Sequence, residues 1–218
     1  MSFIVPGIQL LLRLAERGEI LYHALKLSYM LITRRLFVGI PLSNRLQKRL
    51  ASEISRFEHL PIIPTRVGNF HVTLIFLGFV KEEEIVRITE ALEDVALDSV
   101  PFEIDFTEIK AEPVEHPNLV WLTGEPSAEL VALRNAIATA LDYLTPASKT
   151  FRPHVTLAKV RRGQYEALET KPDFGKPLHI IEPVDTITLY ESTMDSGKRA
   201  YLPLAEFPLN GVHETESL

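Results

Sequence analysis

The chain has 218 residues, 23 Lys and Arg against 29 Asp and Glu for a net charge of −6, 46% hydrophobic residues and no cysteine. This is an ordinary globular composition, long enough for one large domain or a two-lobed unit. The missing cysteines exclude a disulfide framework, a thiolate nucleophile and any sulfur-built zinc or iron–sulfur site, and the acidity excludes a non-specific coat on duplex nucleic acid. Any nucleic-acid role must therefore rest on a local basic patch.

At the N-terminus, Ile8, Leu11, Leu12 and Ala15 recur at helical spacing, which predicts an amphipathic helix to about Gly18 and a second over 20–30. Arg13, Glu16, Arg17 and Glu19 interrupt the apolar stretches, so neither a membrane span nor a signal-peptide core is expected there. Residues 1–33 read as a helical extension, with Met30 as an alternative start; 34–210 read as the folded domain and 211–218 as a tail. A cytoplasmic, monomeric protein with no membrane partner is expected.

From residue 34 the pattern becomes regular. Residues 35–40 read as a strand ended by Pro41, and Ser43 caps a helix carrying Leu46, Leu50, Ile54 and Phe57 on one face. A strand over 70–79 leads to a helix over 81–97, whose Glu82, Glu83 and Glu84 suit the positive end of the helix dipole. Strands over 101–109 and 118–123 precede a third helix, capped by Ser127 and presenting Leu130, Leu133, Ile137, Leu141 and Leu144. A strand over 151–160, a short helical stretch near 164–168 and strands over 186–192 and 201–207 complete the chain. Strands and helices intermix without a strict alternation, so the class is α+β with a largely antiparallel sheet.

The informative feature is an internal echo. His-Val-Thr-Leu at 71–74 recurs unchanged at 154–157, 83 residues later, each time in an apolar strand that follows a helix. Strand alternation puts His71 and Thr73 on one face with Val72, Leu74 and Phe76 on the other, and likewise His154 and Thr156 opposite Val155 and Leu157. Two lobes related by a pseudo-twofold axis would set the two pairs facing one another across a cleft. No acidic residue lies between His59 and Lys81 or between Tyr143 and Tyr165, while the second window holds Lys149, Arg152, Lys159, Arg161 and Arg162.

Paired imidazoles, paired hydroxyls and nearby cations suit a phosphoryl group. In-line displacement at phosphorus needs a base on the attacking oxygen and an acid on the departing one, and one histidine from each lobe meets that need near neutral pH. No metal or cofactor is required. Trp121, between Val120 and Leu122, reads as core, and Phe70 and Phe151 read as strand-end packing. His23, His59, His116, His179 and His213 lie in no repeated context and read as surface or packing residues.

The duplicated motif resembles the two-histidine phosphoesterase superfamily. Its 2′-5′ RNA ligase-like branch is resembled by the opening Arg35-Leu36-Phe37-Val38-Gly39-Ile40-Pro41-Leu42, by Asn69-Phe70-His71-Val72-Thr73-Leu74 through Phe76-Leu77-Gly78, and by Phe151-Arg152-Pro153-His154-Val155-Thr156-Leu157-Ala158-Lys159. The closing Leu189-Tyr190-Glu191-Ser192, with Tyr201, Leu204 and Phe207-Pro208-Leu209, extends the likeness, which runs from about Arg34 to Leu209. It implies a bilobal fold with helices outside and the active site in the cleft between the lobes. It also implies hydrolysis of RNA 2′,3′-cyclic phosphate ends, or of small cyclic nucleotides, to 2′-phosphomonoesters, with ATP-independent handling of 2′-5′ linkages in some members. By this resemblance His71 and His154 are the catalytic pair, and Thr73 and Thr156 hold the phosphate. A 2′-phosphate product requires the 3′-oxygen to leave; the working assignment makes His71 its proton donor and His154 the proton acceptor for water, and the pseudo-symmetry equally permits the reverse.

Arg152 shares the parity of His154 and is the first candidate for an added phosphate contact; Lys159, Arg161 and Arg162 would meet further RNA phosphates or solvent. Two alternatives come from other classes: a metal-dependent phosphodiesterase, which needs a carboxylate and histidine cluster absent from both motif windows, and a non-catalytic RNA-end or nucleotide binder.

Overall fold

The computed structural model describes residues 33–144, 151–172 and 174–211; the helices expected over 8–18 and 20–30, and the tail beyond 211, lie outside the described residues. Nine strands and four α-helices follow in the order β1 (Thr33–Pro41), α1 (Asn44–Ser55), β2 (Ile62–Pro64), β3 (His71–Lys81), α2 (Ile85–Leu97), β4 (Phe102–Glu112), β5 (Leu119–Gly124), α3 (Ala128–Ala140), β6 (His154–Val160), α4 (Arg162–Glu166), β7 (Lys176–Val184), β8 (Thr186–Asp195) and β9 (Lys198–Pro208). Every strand pairing is antiparallel, as expected for the α+β class. Among the described residues, no helix is long and apolar enough to cross a membrane.

The sheet runs β7-β4-β5-β6-β3-β1-β8-β9, with β2 alongside β6. Its two four-stranded halves are the expected lobes, and they meet where the motif strands β3 and β6 lie side by side, joined by the single pair Val72 and Val155. One lobe takes β4 to β7 from the middle of the chain, whereas the other joins β1 and β3 to β8 and β9, so that distant parts of the sequence share it. One face of the sheet is apolar and covered: Leu36, Val38 and Ile40 of β1, Val72 and Leu74 of β3, and Val155 and Leu157 of β6 are buried with Leu46 and Leu50 of α1, Ile88 and Leu92 of α2, and Leu130 and Ile137 of α3. The opposite face carries the histidines.

Local chemistry explains the element ends. Ser43 caps α1 as expected, its hydroxyl accepting from the Leu46 amide at 3.2 Å. The buried Glu182 of β7 in turn accepts from the Ser43 amide and hydroxyl, tying that cap to β7. Ser127 caps α3 in the same way, and the helix stops at Ala140, short of the expected Leu144. The stretch expected as a helix from residue 81 divides: β3 runs on to Lys81, Glu82–Glu84 form a 3-10 turn, and α2 begins at Ile85.

Two strands escape the sequence pattern. β2 is only three residues long, and β7 carries Pro177 and Pro183, which read as breakers. Among the described residues β7 pairs only with β4 and so is a sheet edge, the place in a sheet where proline is tolerated because N–H groups facing outward make no ladder bond. The other edge, β9, carries Pro203 and Pro208; prolines at both edges oppose strand addition by a second chain.

Candidate active site

His71 and His154 are each the first residue of their strand. Since Val72 pairs with Val155 in antiparallel sense, and both valines point into the core, the flanking residues turn to the opposite face. That register sets His71 toward Thr156 and Thr73 toward His154, so all four motif side chains share one face about a local twofold axis.

The imidazoles are oriented alike. His71 Nδ1 lies 2.7 Å from the Asn69 carbonyl oxygen, and His154 Nδ1 lies 2.9 Å from that of Arg152. A carbonyl only accepts, so both Nδ1 atoms carry the proton and both neutral rings keep a lone pair at Nε2. The Thr73 hydroxyl, 2.9 Å away, donates to Nε2 of His71. Asn69 is itself held: its side chain donates to the Arg199 carbonyl at 2.9 Å and accepts from the Tyr201 amide at 3.1 Å. The carbonyl that orients His71 is therefore anchored to β9.

The surroundings of the two rings differ. His71 sits in an aromatic nest, 4.8 Å from Phe37, 5.8 Å from Tyr190 and edge-on to Tyr201 at 5.0 Å between ring centroids. Burial in that nest pushes its pKa down to about 4, against the opposing pull of the Asn69 carbonyl, and the charge of His154 lowers it further. His154 is instead stacked on Trp121 at 4.0 Å and 22°.

Trp121 is thus not a core residue, contrary to expectation. Its neighbours Val120 and Leu122 are core, and alternation puts the indole on the site face, where it pairs in register with Thr156. Phe37, Tyr190, Tyr201 and Asn69 also belong to the site and were not singled out from sequence; the signal available for the three aromatics was their parity on strands flanking the motifs. Phe70 is core, and Phe151 packs against the core beneath the Arg134 guanidinium, as expected. The Arg152 side chain is exposed and forms no ion pair among the described residues.

Gly39 makes room for the first histidine. A Cβ there would meet the Val72 carbonyl oxygen at 2.9 Å and the His71 ring at 3.2 Å, so a side chain would force the backbone or the imidazole to move. Gly39→Ala is expected to lower turnover about 100-fold, the typical effect of a displacement near 1 Å in a catalytic group. Steady-state kinetics beside a thermal melt would separate this from a loss of fold.

A second departure from alternation concerns Phe76. Val38 pairs with Ile75 and Gly39 with Thr73, so Leu74 is an extra residue and β3 bulges. Leu74 and Ile75 are consequently both buried, and Phe76 emerges on the histidine face, 67% exposed, rather than on the core face. β6 repeats the device: Val120 pairs with Ala158 and Trp121 with Thr156, Leu157 is extra, and Lys159 comes out exposed five residues after His154, as Phe76 does after His71.

Among the described residues, no group of three or more His, Asp or Glu side chains converges to hold a metal ion. The metal-dependent alternative lacks a ligand set there.

Residues 43–193 match the 2′-5′ RNA ligase superfamily. This chain belongs to that superfamily. It is 31% identical over 140 residues to an RNA 2′,3′-cyclic phosphodiesterase of Archaeoglobus fulgidus, covering 62% of this chain and 77% of the relative. It is 28% identical over 190 residues to another of that name from Aquifex aeolicus, covering 81% and 98%. Among solved structures, TT0787 of Thermus thermophilus superposes with a TM-score of 0.70 at 22% identity, over 82% of this chain and 100% of that one. E. coli LigT in its apo form gives 0.67 at 22% identity, over 81% and 98%. These superpositions show that the chain shares the α+β fold of those two structures.

Proposed function

We propose that this member of the 2′-5′ RNA ligase superfamily is an RNA 2′,3′-cyclic phosphodiesterase that opens a terminal cyclic phosphate to a 2′-phosphomonoester. The observation that carries this reading is the pair of Nδ1-anchored imidazoles on one sheet face. Each keeps its lone pair at Nε2, which at His71 accepts from the Thr73 hydroxyl in the free protein, and the two sit on adjacent strands about a local twofold. The curated relatives that bear this name, one of them matched over almost its whole length, support it independently.

In the proposed reaction, water attacks phosphorus opposite the 3′-oxygen. The new O–P bond forms as the P–O3′ bond breaks, His154 accepts the water proton at Nε2, and His71 donates its Nε2 proton to the departing O3′. Thr156 donates to a non-bridging oxygen, as does Thr73 once protonation of His71 Nε2 frees its hydroxyl, and Arg152 offsets the charge that builds on them. His71 is neutral in the free protein at pH 7, so the anionic cyclic phosphate must raise its pKa on binding for it to enter as an acid. With a 5′-hydroxyl in place of water as the attacking group, the same steps would form a 2′-5′ linkage without ATP.

Incubation with RNA ending in a 2′,3′-cyclic phosphate, in excess chelator, tests this directly. Conversion to a 2′-phosphate end is expected at an undiminished rate. A 3′-phosphate product would mean that O2′ leaves instead, a requirement for added metal would revive the metal-dependent scheme, and binding without turnover would make the protein an RNA-end binder.

A further inference from the structure

Phe76 has no place in the phosphoryl chemistry, yet two bulges in β3 serve to expose it and a neighbour. After the first bulge at Leu74, Phe76 pairs with Phe37; then Leu36 pairs with Gly78, leaving Leu77 extra, and Phe79 pairs with Arg35. Phe37 and Arg35 are two residues apart on β1 and share a face, so Phe76 and Phe79 share it too, although three residues separate them. Gly78, at φ 75°, supplies the left-handed backbone that the second bulge uses. The outcome is a pair of phenylalanines, 67% and 53% exposed, on the histidine face.

This aromatic row is continuous with the active site. The buried Phe37 ring lies 4.8 Å from His71 and 6.0 Å from Phe76, bridging the two. Arg35, the register partner of Phe79, is exposed, and the chain between His59 and Lys81 contains no acidic residue. On the other side of the local twofold the equivalent position is Lys159. The two exits from the phosphate position therefore differ, one aromatic and one cationic, whereas the motifs that hold the phosphate match. An RNA end has the same asymmetry, since from a 2′,3′-cyclic phosphate the chain continues only through its 5′-oxygen.

We propose that Phe76, with Phe79 beyond it, is a stacking platform for the bases of the nucleotides that precede the terminal one, with Arg35 meeting the backbone that links them. Every base has a π-face and a flexible single strand follows a charged groove, so such a row binds RNA ends without reading their sequence. The proposal rests on the RNA reading above and deepens it: the substrate is an oligonucleotide end rather than a free cyclic nucleotide.

The test compares kcat/KM for a cyclic-phosphate-ended tetranucleotide with that for a 2′,3′-cyclic mononucleotide. The wild-type protein is expected to favour the tetranucleotide. Phe76→Ala should shrink that ratio about tenfold, the scale of one lost base–aromatic stack, and Phe76→Trp should keep it. A tetranucleotide lacking the penultimate base should lose the same advantage with the wild-type protein. An unchanged ratio in Phe76→Ala, or a mononucleotide rate that falls by the same factor, overturns the platform. So does an unchanged ratio accompanied, in light scattering, by a wild-type dimer that Phe76→Ala dissolves, since the patch would then join two copies of the chain. Should the wild-type protein hydrolyse neither substrate, the enzymatic reading fails, and anisotropy with a labelled 2′-phosphate-ended tetranucleotide decides the platform alone: equal affinity of wild type and Phe76→Ala overturns it.

Discussion

Replacing either motif histidine is expected to abolish most turnover: His71→Ala and His154→Ala should each lower kcat by about 10²–10⁴-fold, the range for losing a general acid or base. The double variant should cost far less than the product of the two, because an acid and a base that act in one displacement fail together. His71 packs against Phe37 and Tyr201, so alanine also opens a cavity; His71→Gln and His154→Gln keep the bulk and hold the comparison to proton transfer. A variant that retains near-wild-type turnover removes that histidine from the mechanism. The donor can be told from the acceptor with a cyclic substrate whose 3′-bridging oxygen is sulfur, since a thiolate leaves without a proton. That substrate should restore His71→Gln toward the wild-type rate and leave His154→Gln slow, and the opposite pattern would reverse the assignment.

The second large effect is in pH dependence. Burial among Phe37, Tyr190 and Tyr201 lowers the His71 pKa to about 4, below the ordinary value of 6.5. The unfolded chain then binds this proton more tightly than the folded one, so the contribution to stability is fully present above pH 6.5 and is lost as pH falls through the interval down to about 4. Discounted for partial exposure of the ring, the loss is about 2 kcal/mol. Urea unfolding at about pH 7 and about pH 4 should show His71→Gln losing about that much less than the wild-type protein over the same interval; equal losses would mean that the folded state does not hold His71 neutral. In kinetics, the kcat/KM profile, which reports the free protein, should carry a His71 limb near pH 4. In the kcat profile that limb should move upward, because the bound phosphate monoanion favours the imidazolium. Activity should fall as pH rises through that limb, as an acid requires; activity that rises through it would make His71 the base.

The proposed catalytic pair was legible in the sequence because its signal is chemical and repeated. Identical His-Val-Thr-Leu runs in acid-free surroundings need no knowledge of packing to be noticed. The aromatic shell was not legible, since Phe37, Tyr190, Tyr201 and Trp121 sit in apolar strands where composition alone points to the core. Trp121 shows the difficulty: the residues on either side of it are core, and only its register opposite Thr156 places it beside His154. Asn69 was equally hidden, because its function lies in bonds to Arg199 and Tyr201, 130 and 132 residues away in the chain.

What the sequence determined by itself was the class of the fold, most of its elements, and the two histidines and two threonines, all of which follow from local periodicity, capping chemistry and a repeated motif. What only the tertiary structure decided was where those elements lie. β3 and β6 are neighbours joined through one valine pair, one lobe is assembled from both ends of the domain, and the proline-bearing β7 is an edge strand. The face on which Phe76 and Lys159 appear belongs to the same category. A strand alternates strictly until a partner strand forces an extra residue into it, and that partner lies far away in the sequence. The bulges at Leu74 and Leu157 are therefore properties of the pairing between strands, and with them the walls of the site that neighbour the phosphate position.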